Sequence, residues 1–258
     1  MNNKTLLFFL PALFFITNCE QYGKHEWENP TIIGINKLPP RAHFTSYESE
    51  LLAIKNDPSR SKNYISLNGK WKFKFSKNIK DKPENFYEMG FNDNDWDKIN
   101  VPGSWELQGW SFPIYLDEEY PFPADPPFIP HKLNTVGSYK KKINLPQDWL
   151  KKDVFLKFGS VRSACYVWFN GKYIGYSQGS KTPTEFDVTE FIQAGENQIA
   201  VQVYRFSDGS YLEGQDTWRI SGLERDVSIY AREKIRINDF TIHSSLDENY
   251  QKGKFRVE

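Results

Sequence analysis

Hydrophobic and polar residues alternate along much of the chain after residue 64. Leu67, Trp71, Phe73 and Phe75 are separated by polar residues, which is the period-two pattern of a strand with one buried face. The same alternation recurs in three further short segments, at 153–158, 197–204 and 225–231. These patterns predict β-strands.

Turn residues separate the predicted strands. The pair Asn170-Gly171 lies between two apolar segments and predicts a hairpin with a type I′ turn, because both central residues of that turn need positive φ. Helical periodicity is scarce, and only residues 84–89 favour one short turn of helix. The chain is therefore predicted to be all-β, with an antiparallel β-sandwich over residues 64–232.

The segments on either side of the sandwich have a different character. Residues 20–63 contain four prolines and little periodicity, which predicts an extended N-terminal arm lying over a domain. Residues 233–258 contain two more strand-like stretches. Two strands alone are marginally stable in water, so we expect this segment to be the start of a second β-domain that is truncated at residue 258.

Residues 1–19 are expected to be a targeting segment. Lys4 provides a positive start, residues 6–16 form an apolar run, and Cys19 follows. This arrangement resembles a bacterial signal peptide with a lipobox, although Asn18 stands where a small residue is usual. We expect export and lipidation at Cys19, with a lipid anchor to the membrane, in the periplasm or at the outer membrane. The alternative is an ordinary secretory signal, with Cys19 a bystander.

Composition and charge exclude some classes of protein. The 258 residues are 39% hydrophobic, and 33 basic residues balance 33 acidic ones. A nucleic-acid-binding domain would normally carry a basic excess, so no nucleic-acid partner is expected. Cys165 lies in a strand-like stretch and is interpreted as a small core residue. The four histidines are too scattered in sequence to suggest a metal cluster.

An ordered series of motifs identifies a family resemblance. It comprises EWENP at 26–30, SLNGKW at 66–71, VPGSW at 101–105, PIY at 113–115, YP at 120–121, DPPFIP at 125–130, SDGSYLE at 207–213, QD at 215–216, WR at 218–219, SG at 221–222 and RDV at 225–227. Together these motifs resemble the large bacterial β-galactosidases of glycoside hydrolase family 2. The resemblance implies a jelly-roll sugar-binding domain, then an immunoglobulin-like domain, then a TIM barrel.

The resemblance also implies an activity. Family members hydrolyse terminal non-reducing β-D-galactose residues with retention, using two carboxyl groups roughly 5–5.5 Å apart. Both catalytic glutamates belong to the C-terminal barrel, beyond residue 258, so this chain alone is expected to be inactive. Glu118 and Glu119 do not replace them, because adjacent residues of a strand face opposite sides. Two alternatives stay open: a stand-alone carbohydrate-binding lipoprotein, and the equivalent domain of a β-glucuronidase or β-mannosidase.

Two aspartates are candidate sugar contacts. Asp216 matches the family aspartate that reaches into the galactose pocket and helps to bind sodium, and a carboxylate suits both tasks. Asp117 occupies a position that is usually asparagine. An ionised carboxylate only accepts hydrogen bonds, whereas an amide also donates, so this departure weakens the case for galactose. Without the resemblance, Asp216 would be interpreted as an aspartate in a surface turn.

A second cation site is implied near the arm. Glu26, Asn29, Gln178 and Asp208, with the Ile32 carbonyl, match positions that form a magnesium site in the family, and all of them offer oxygen ligands. The expected cofactors are thus Na+ or K+, and Mg2+. The expected partners are a β-galactoside and the catalytic barrel of the same polypeptide, and a homo-oligomer stays open.

Four tryptophans are candidate sugar-stacking groups. Trp105, Trp110, Trp168 and Trp218 could pack against sugar rings, but aromatic side chains also fill the cores of β-sandwiches. Core positions are the favoured interpretation for all four.

Overall fold

The computed structural model describes residues 23–258 and is mostly β, with strands that pair antiparallel. Its strands are β1 (Gly34–Ile35), β2 (Tyr64–Ser66), β3 (Gly69–Ser76), β4 (Asp97–Val101), β5 (Gly103–Ser104), β6 (Val136–Leu145), β7 (Asp153–Phe158), β8 (Val161–Arg162), β9 (Ala164–Phe169), β10 (Lys172–Gln178), β11 (Thr184–Asp187), β12 (Gly195–Tyr204), β13 (Gly222–Leu223), β14 (Val227–Arg232), β15 (Ile242–Leu246) and β16 (Gly253–Val257). Its α-helices are α1 (Glu50–Lys55) and α2 (Ser210–Glu213), and its 3-10 turns are Glu26–Glu28, Pro58–Arg60, Ile79–Asp81, Glu106–Gln108, Gln147–Lys151 and Thr189–Phe191.

Two antiparallel sheets make up the body of the fold. The larger sheet has the strand order β1-β10-β9-β12-β6-β3-β4, and the smaller one has the order β11-β7-β14-β2. A three-stranded sheet has the order β5-β13-β8, and β15 pairs only with β16. The predicted fold class is confirmed as a mostly β chain built from several antiparallel sheets.

The core lies between the two main sheets, where the alternating hydrophobic residues meet. Phe73 of β3 and Val201 of β12 join Leu156 of β7 and Ile229 of β14 in one buried cluster. Burying a side chain of this size stabilises the fold by about 1.5–3 kcal/mol. The period-two pattern of the sequence therefore sets which face of each sheet is internal.

The Asn170-Gly171 hairpin has the geometry that its sequence predicts. Both residues have positive φ, 49° and 78°, and the turn joins β9 to β10 with Phe169 opposite Lys172. The Asn170 side chain reinforces the turn, because its amide donates to the Phe191 carbonyl at 2.9 Å.

One local prediction is wrong, and one helix was missed. Residues 84–89 form turns and bends rather than helix, because Phe86 is buried against Trp96 and Trp168 and this packing shapes the segment. Helix α1 was not predicted. It has an N-cap in Ser49, whose hydroxyl accepts from the Leu52 amide, and ends at Asn56 in the left-handed region.

The arm is tied to the larger sheet. Strand β1 forms an edge of this sheet and pairs with β10, with Gly34 opposite Ser177. Glu28 is buried, and its Oε1 accepts hydrogen bonds from the Ile129 amide at 3.0 Å and from His131 Nε2 at 2.9 Å. Two of the four histidines are close in space, since the rings of His25 and His131 lie 5.7 Å apart.

The targeting predictions fall outside the described residues. The signal segment and the lipidation of Cys19 lie within residues 1–22, so export stays a prediction. Over residues 23–258, no helix has both the length and the apolar character needed to cross a membrane. Cys165 is a core residue, as predicted, and burial raises the pKa of its thiol to about 12.

Candidate functional site

Two loops that are distant in sequence pair to form the candidate site. The Arg219 amide donates to the Ile114 carbonyl at 2.7 Å, and the Asp216 amide donates to the Asp117 carbonyl at 2.8 Å. The two bonds share one antiparallel register, in which Ile114 and Arg219 form an isolated bridge, and we call this pair of main-chain hydrogen bonds the loop ladder. The structure therefore brings together the two predicted sugar-contacting residues, Asp117 and Asp216.

Asp216 is held in a defined and exposed position. Its backbone is in the left-handed region, with φ of 47°, which is uncommon outside glycine but tolerated by Asp and Asn. The Tyr115 hydroxyl donates to Asp216 Oδ1 at 2.6 Å, and this bond to a carboxylate raises the pKa of Tyr115. Asp216 is not sealed within the core, so its carboxylate is accessible to a ligand.

An exposed aromatic side chain flanks the two aspartates. Trp218 is 54% exposed, and its ring lies 5.4 Å from that of Tyr115. The core interpretation is thus wrong for Trp218, because more than half of its surface is exposed. It holds for Trp105, which is fully buried, and for Trp110 and Trp168, which are partly buried against hydrophobic clusters.

Tyr115 is a site residue to which the sequence analysis assigned no role. It belongs to a motif of the family resemblance, and a signal was available. In an extended segment, residues two positions apart face the same side, so Tyr115 and Asp117 could have been placed on one face. Glu118 and Glu119 are both exposed in the same loop.

The predicted magnesium ligands are partly brought together. Gln178 Nε2 donates to the Ile32 carbonyl at 3.2 Å, and Gln178 and Asp208 line the same cleft. Two of their oxygens, Gln178 Oε1 and Asp208 Oδ2, are buried without a hydrogen-bond partner. Burial raises the pKa of the Asp208 carboxyl. Buried acceptors of this kind are unfavourable unless a donor or a cation satisfies them.

The other two predicted ligands are engaged elsewhere. Tyr166 donates to Glu26 Oε2 at 2.5 Å, and Asn29 Oδ1 accepts from the amide and hydroxyl of Thr31 at 3.1 and 2.7 Å. Among residues 23–258 there is no group of three or more His, Cys, Asp and Glu side chains that could hold a metal ion. The implied set contains only two carboxylates, since its other ligands are amide and carbonyl oxygens.

Comparison with known proteins agrees with the resemblance that the motif series indicates. Residues 64–233 match the family model for the sugar-binding domain of family 2 glycosyl hydrolases. The chain is 44% identical over 240 residues to a β-galactosidase of Priestia megaterium, covering 91% of this chain and 23% of that protein. It is 36% identical over 240 residues to a β-galactosidase of Pectobacterium atrosepticum, covering 93% of this chain and 23% of that protein. The chain therefore spans less than a quarter of the length of these relatives.

Solved structures show the same fold. A β-glucuronidase of an uncultured Clostridium species superposes with a TM-score of 0.58 at 25% sequence identity, covering 76% of this chain and 33% of that one. A β-glucuronidase of Bifidobacterium dentium superposes with a TM-score of 0.53 at 17% identity, covering 72% and 33% of the two chains. The second likeness concerns the fold alone.

Proposed function

The chain belongs to family 2 of the glycosyl hydrolases, and we propose that it forms one wall of the galactose pocket of a retaining β-galactosidase. On this proposal the sandwich is the jelly-roll sugar-binding domain, and residues 233–258 begin the immunoglobulin-like domain. The catalytic glutamates come from a C-terminal barrel of the same polypeptide. The observation that carries the proposal is the exposed pair Asp117 and Asp216 on two paired loops, beside Trp218.

The chemistry of these loops suits the positioning of a sugar. The Asp216 carboxylate accepts hydrogen bonds from sugar hydroxyls, and it is a hard oxygen ligand of the kind that sodium requires. The apolar face of Trp218 offers a surface on which a sugar ring can pack. Asp117 can accept but not donate, so it selects ligands that present hydroxyl donors towards it.

The proposed activity is tested on the complete gene product with a panel of nitrophenyl glycosides. We expect kcat/KM for the β-galactoside to exceed that for the β-glucuronide and the β-mannoside by at least about 100-fold, because a site built around specific hydroxyls rejects substrates that leave its polar groups unpaired. Preference for another glycoside would contradict the galactosidase assignment. Absence of hydrolysis, with galactose binding detected by calorimetry, would instead support a binding protein.

We also propose a magnesium site formed by Gln178, Asp208 and the Ile32 carbonyl. The unpartnered buried oxygens of Gln178 and Asp208 support it, since magnesium takes oxygen ligands. Asn29 can join this site by giving up the hydrogen bonds that its Oδ1 accepts from Thr31, whereas Glu26 accepts its Tyr166 hydrogen bond at Oε2 and has a second carboxylate oxygen to offer.

Magnesium is expected to raise the thermal unfolding midpoint of the chain but not that of an Asp208→Asn variant. A ligand that binds only the folded state stabilises it by about 2.7 kcal/mol at 100 times its Kd. Without magnesium the variant should be at least as stable as the parent, because it lacks a buried carboxylate with an unpartnered oxygen. Asp97→Asn, exposed on β4, is the matched control. An equal magnesium response in both variants would contradict the site.

A further inference from the structure

Three arginine side chains are buried beneath the two site loops. Arg162, Arg205 and Arg219 are only 5–6% exposed. Within the described part of the chain, the one carboxylate within ion-pairing distance of any of them is Glu106, whose Oε1 lies 3.6 Å from Arg205 Nε. Buried charges are costly unless they are paired or hydrogen-bonded, so the other contacts of these guanidinium groups need an explanation.

Arg219 donates to one main-chain carbonyl in each site loop. Its Nη1 donates to the Gly214 carbonyl at 2.8 Å, and its Nη2 donates to the Glu119 carbonyl. The guanidinium lies directly against Gly214, since a Cβ atom on that residue would be 1.9 Å from Arg219 Nη1. The planar fork of an arginine can hold two acceptors at once, and here it joins the loop of Asp216 to the loop of Asp117.

Arg205 extends the connection at the other end of the ladder. Its Nη2 donates to the carbonyls of Phe112 at 3.0 Å and Arg219 at 3.2 Å, and its Nη1 donates to the Ser111 hydroxyl at 3.3 Å. Arg205 thus also contacts both loops. The two side chains hold the loops at both ends of the segment that carries the aspartates.

Glu106 anchors this arrangement to the interior. Its Oε2 accepts from the Ser221 amide at 2.8 Å, just beyond the Asp216 loop, and its Oε1 faces Arg205. Burial raises the pKa of the Glu106 carboxyl and lowers the pKa of Arg205 and Arg219. Glu106 thus contacts Arg205 on one side and the Ser221 main chain on the other, and Arg205 in turn contacts both site loops.

We propose that Arg205 and Arg219 are positioning residues, which hold the loops in the register that places Asp117 beside Asp216. This inference rests on the proposed function for its catalytic consequence, but its structural content concerns the loop ladder alone. General stabilisation of the fold is the competing explanation. A positioning role predicts that removing a guanidinium loosens the loop ladder in particular. General stabilisation predicts the same effect from any equally buried arginine.

Amide hydrogen exchange tests the structural content on the chain itself. In Arg219→Met we expect exchange at the Asp216 amide to accelerate by about 10-fold or more, because local opening of the ladder becomes easier. Arg232→Met is the matched control, since Arg232 is equally buried and also donates to a main-chain carbonyl, that of Ile237, but lies on β14. Equal exchange at Asp216 in both variants would overturn the proposal.

Kinetics of the complete gene product test the catalytic consequence. Arg219→Met should raise KM for the galactoside about 10-fold, and Arg219→Lys should recover little of the loss because it lacks the fork. Combining Arg219→Met with Asp216→Asn should add little to the single effect of Asp216→Asn, since residues that act through one another are not additive. Full additivity would indicate general stabilisation and overturn the proposal.

If Arg219→Met does not fold, Gly214→Ala can replace it, because the added Cβ would displace the guanidinium without removing it. We expect the same faster exchange at the Asp216 amide. If the unmodified gene product does not cleave galactosides, the proposed function fails, and the exchange comparison still decides whether Arg219 holds the ladder.

Discussion

Replacing Asp216 with asparagine is expected to raise KM for β-galactosides by about 10- to 100-fold in the complete enzyme. Hydrogen bonds to a charged group contribute about 1.5–3 kcal/mol, and the variant lacks the charge that sugar hydroxyls and a sodium ion would meet. The dependence of KM on sodium concentration should flatten in the same variant. Steady-state kinetics over a sodium titration measure both effects.

Two further variants show whether the effect belongs to Asp216. Tyr115→Phe removes the hydroxyl that orients Asp216 Oδ1 but keeps the carboxylate, so KM should rise in the same direction by less. Glu118→Gln changes another exposed acid of the same loop and should leave KM unchanged. If Asp216→Asn behaves like Glu118→Gln, Asp216 does not contact the sugar.

The strands could be predicted from the sequence because the face of each main strand that meets the core is apolar, even where, as in β12, the other face is buried too. The alternation around Phe73 and Val201 reports directly on that face. Predictions fail where side-chain packing, and not the periodicity of hydrophobic residues, determines the backbone conformation. The burial of Phe86 under neighbouring aromatic side chains overrides a weak helical pattern at residues 84–89, and helix α1 is too short for its periodicity to stand out.

The sequence identifies the residues of the candidate site but not their arrangement in space. Family resemblance identifies Asp117 and Asp216, yet they are about a hundred residues apart, and they are brought together by contacts between their loops, namely the main-chain ladder and the hydrogen bonds of Arg205 and Arg219. No local pattern encodes such a pairing. For the same reason the roles of Arg205 and Arg219 stay hidden in sequence, since their acceptors are carbonyls of other segments.

The interior beneath these loops gives the largest expected effect on stability. Phe73 is fully buried on β3, with ring centroids 4.8 Å from Tyr139 and 5.1 Å from Trp110. Trp105, which also packs near Phe73, donates its amide to the Ser221 carbonyl at 3.0 Å. Phe73 therefore supports both the sandwich core and the segment that follows the Asp216 loop.

Phe73→Ala is expected to lower the free energy of unfolding by about 3–5 kcal/mol, the usual cost of truncating a buried aromatic side chain. For a slope of about 1–3 kcal/mol per molar urea, the unfolding midpoint should fall by at least about 1 M. Lys74→Ala is the control on the next position of the same strand, where the side chain is 41% exposed, and should shift stability by no more than about 0.5 kcal/mol. Similar losses in the two variants would mean that the two faces of β3 are not internal and external as described, and the packing that supports the site loops would have to be reassigned.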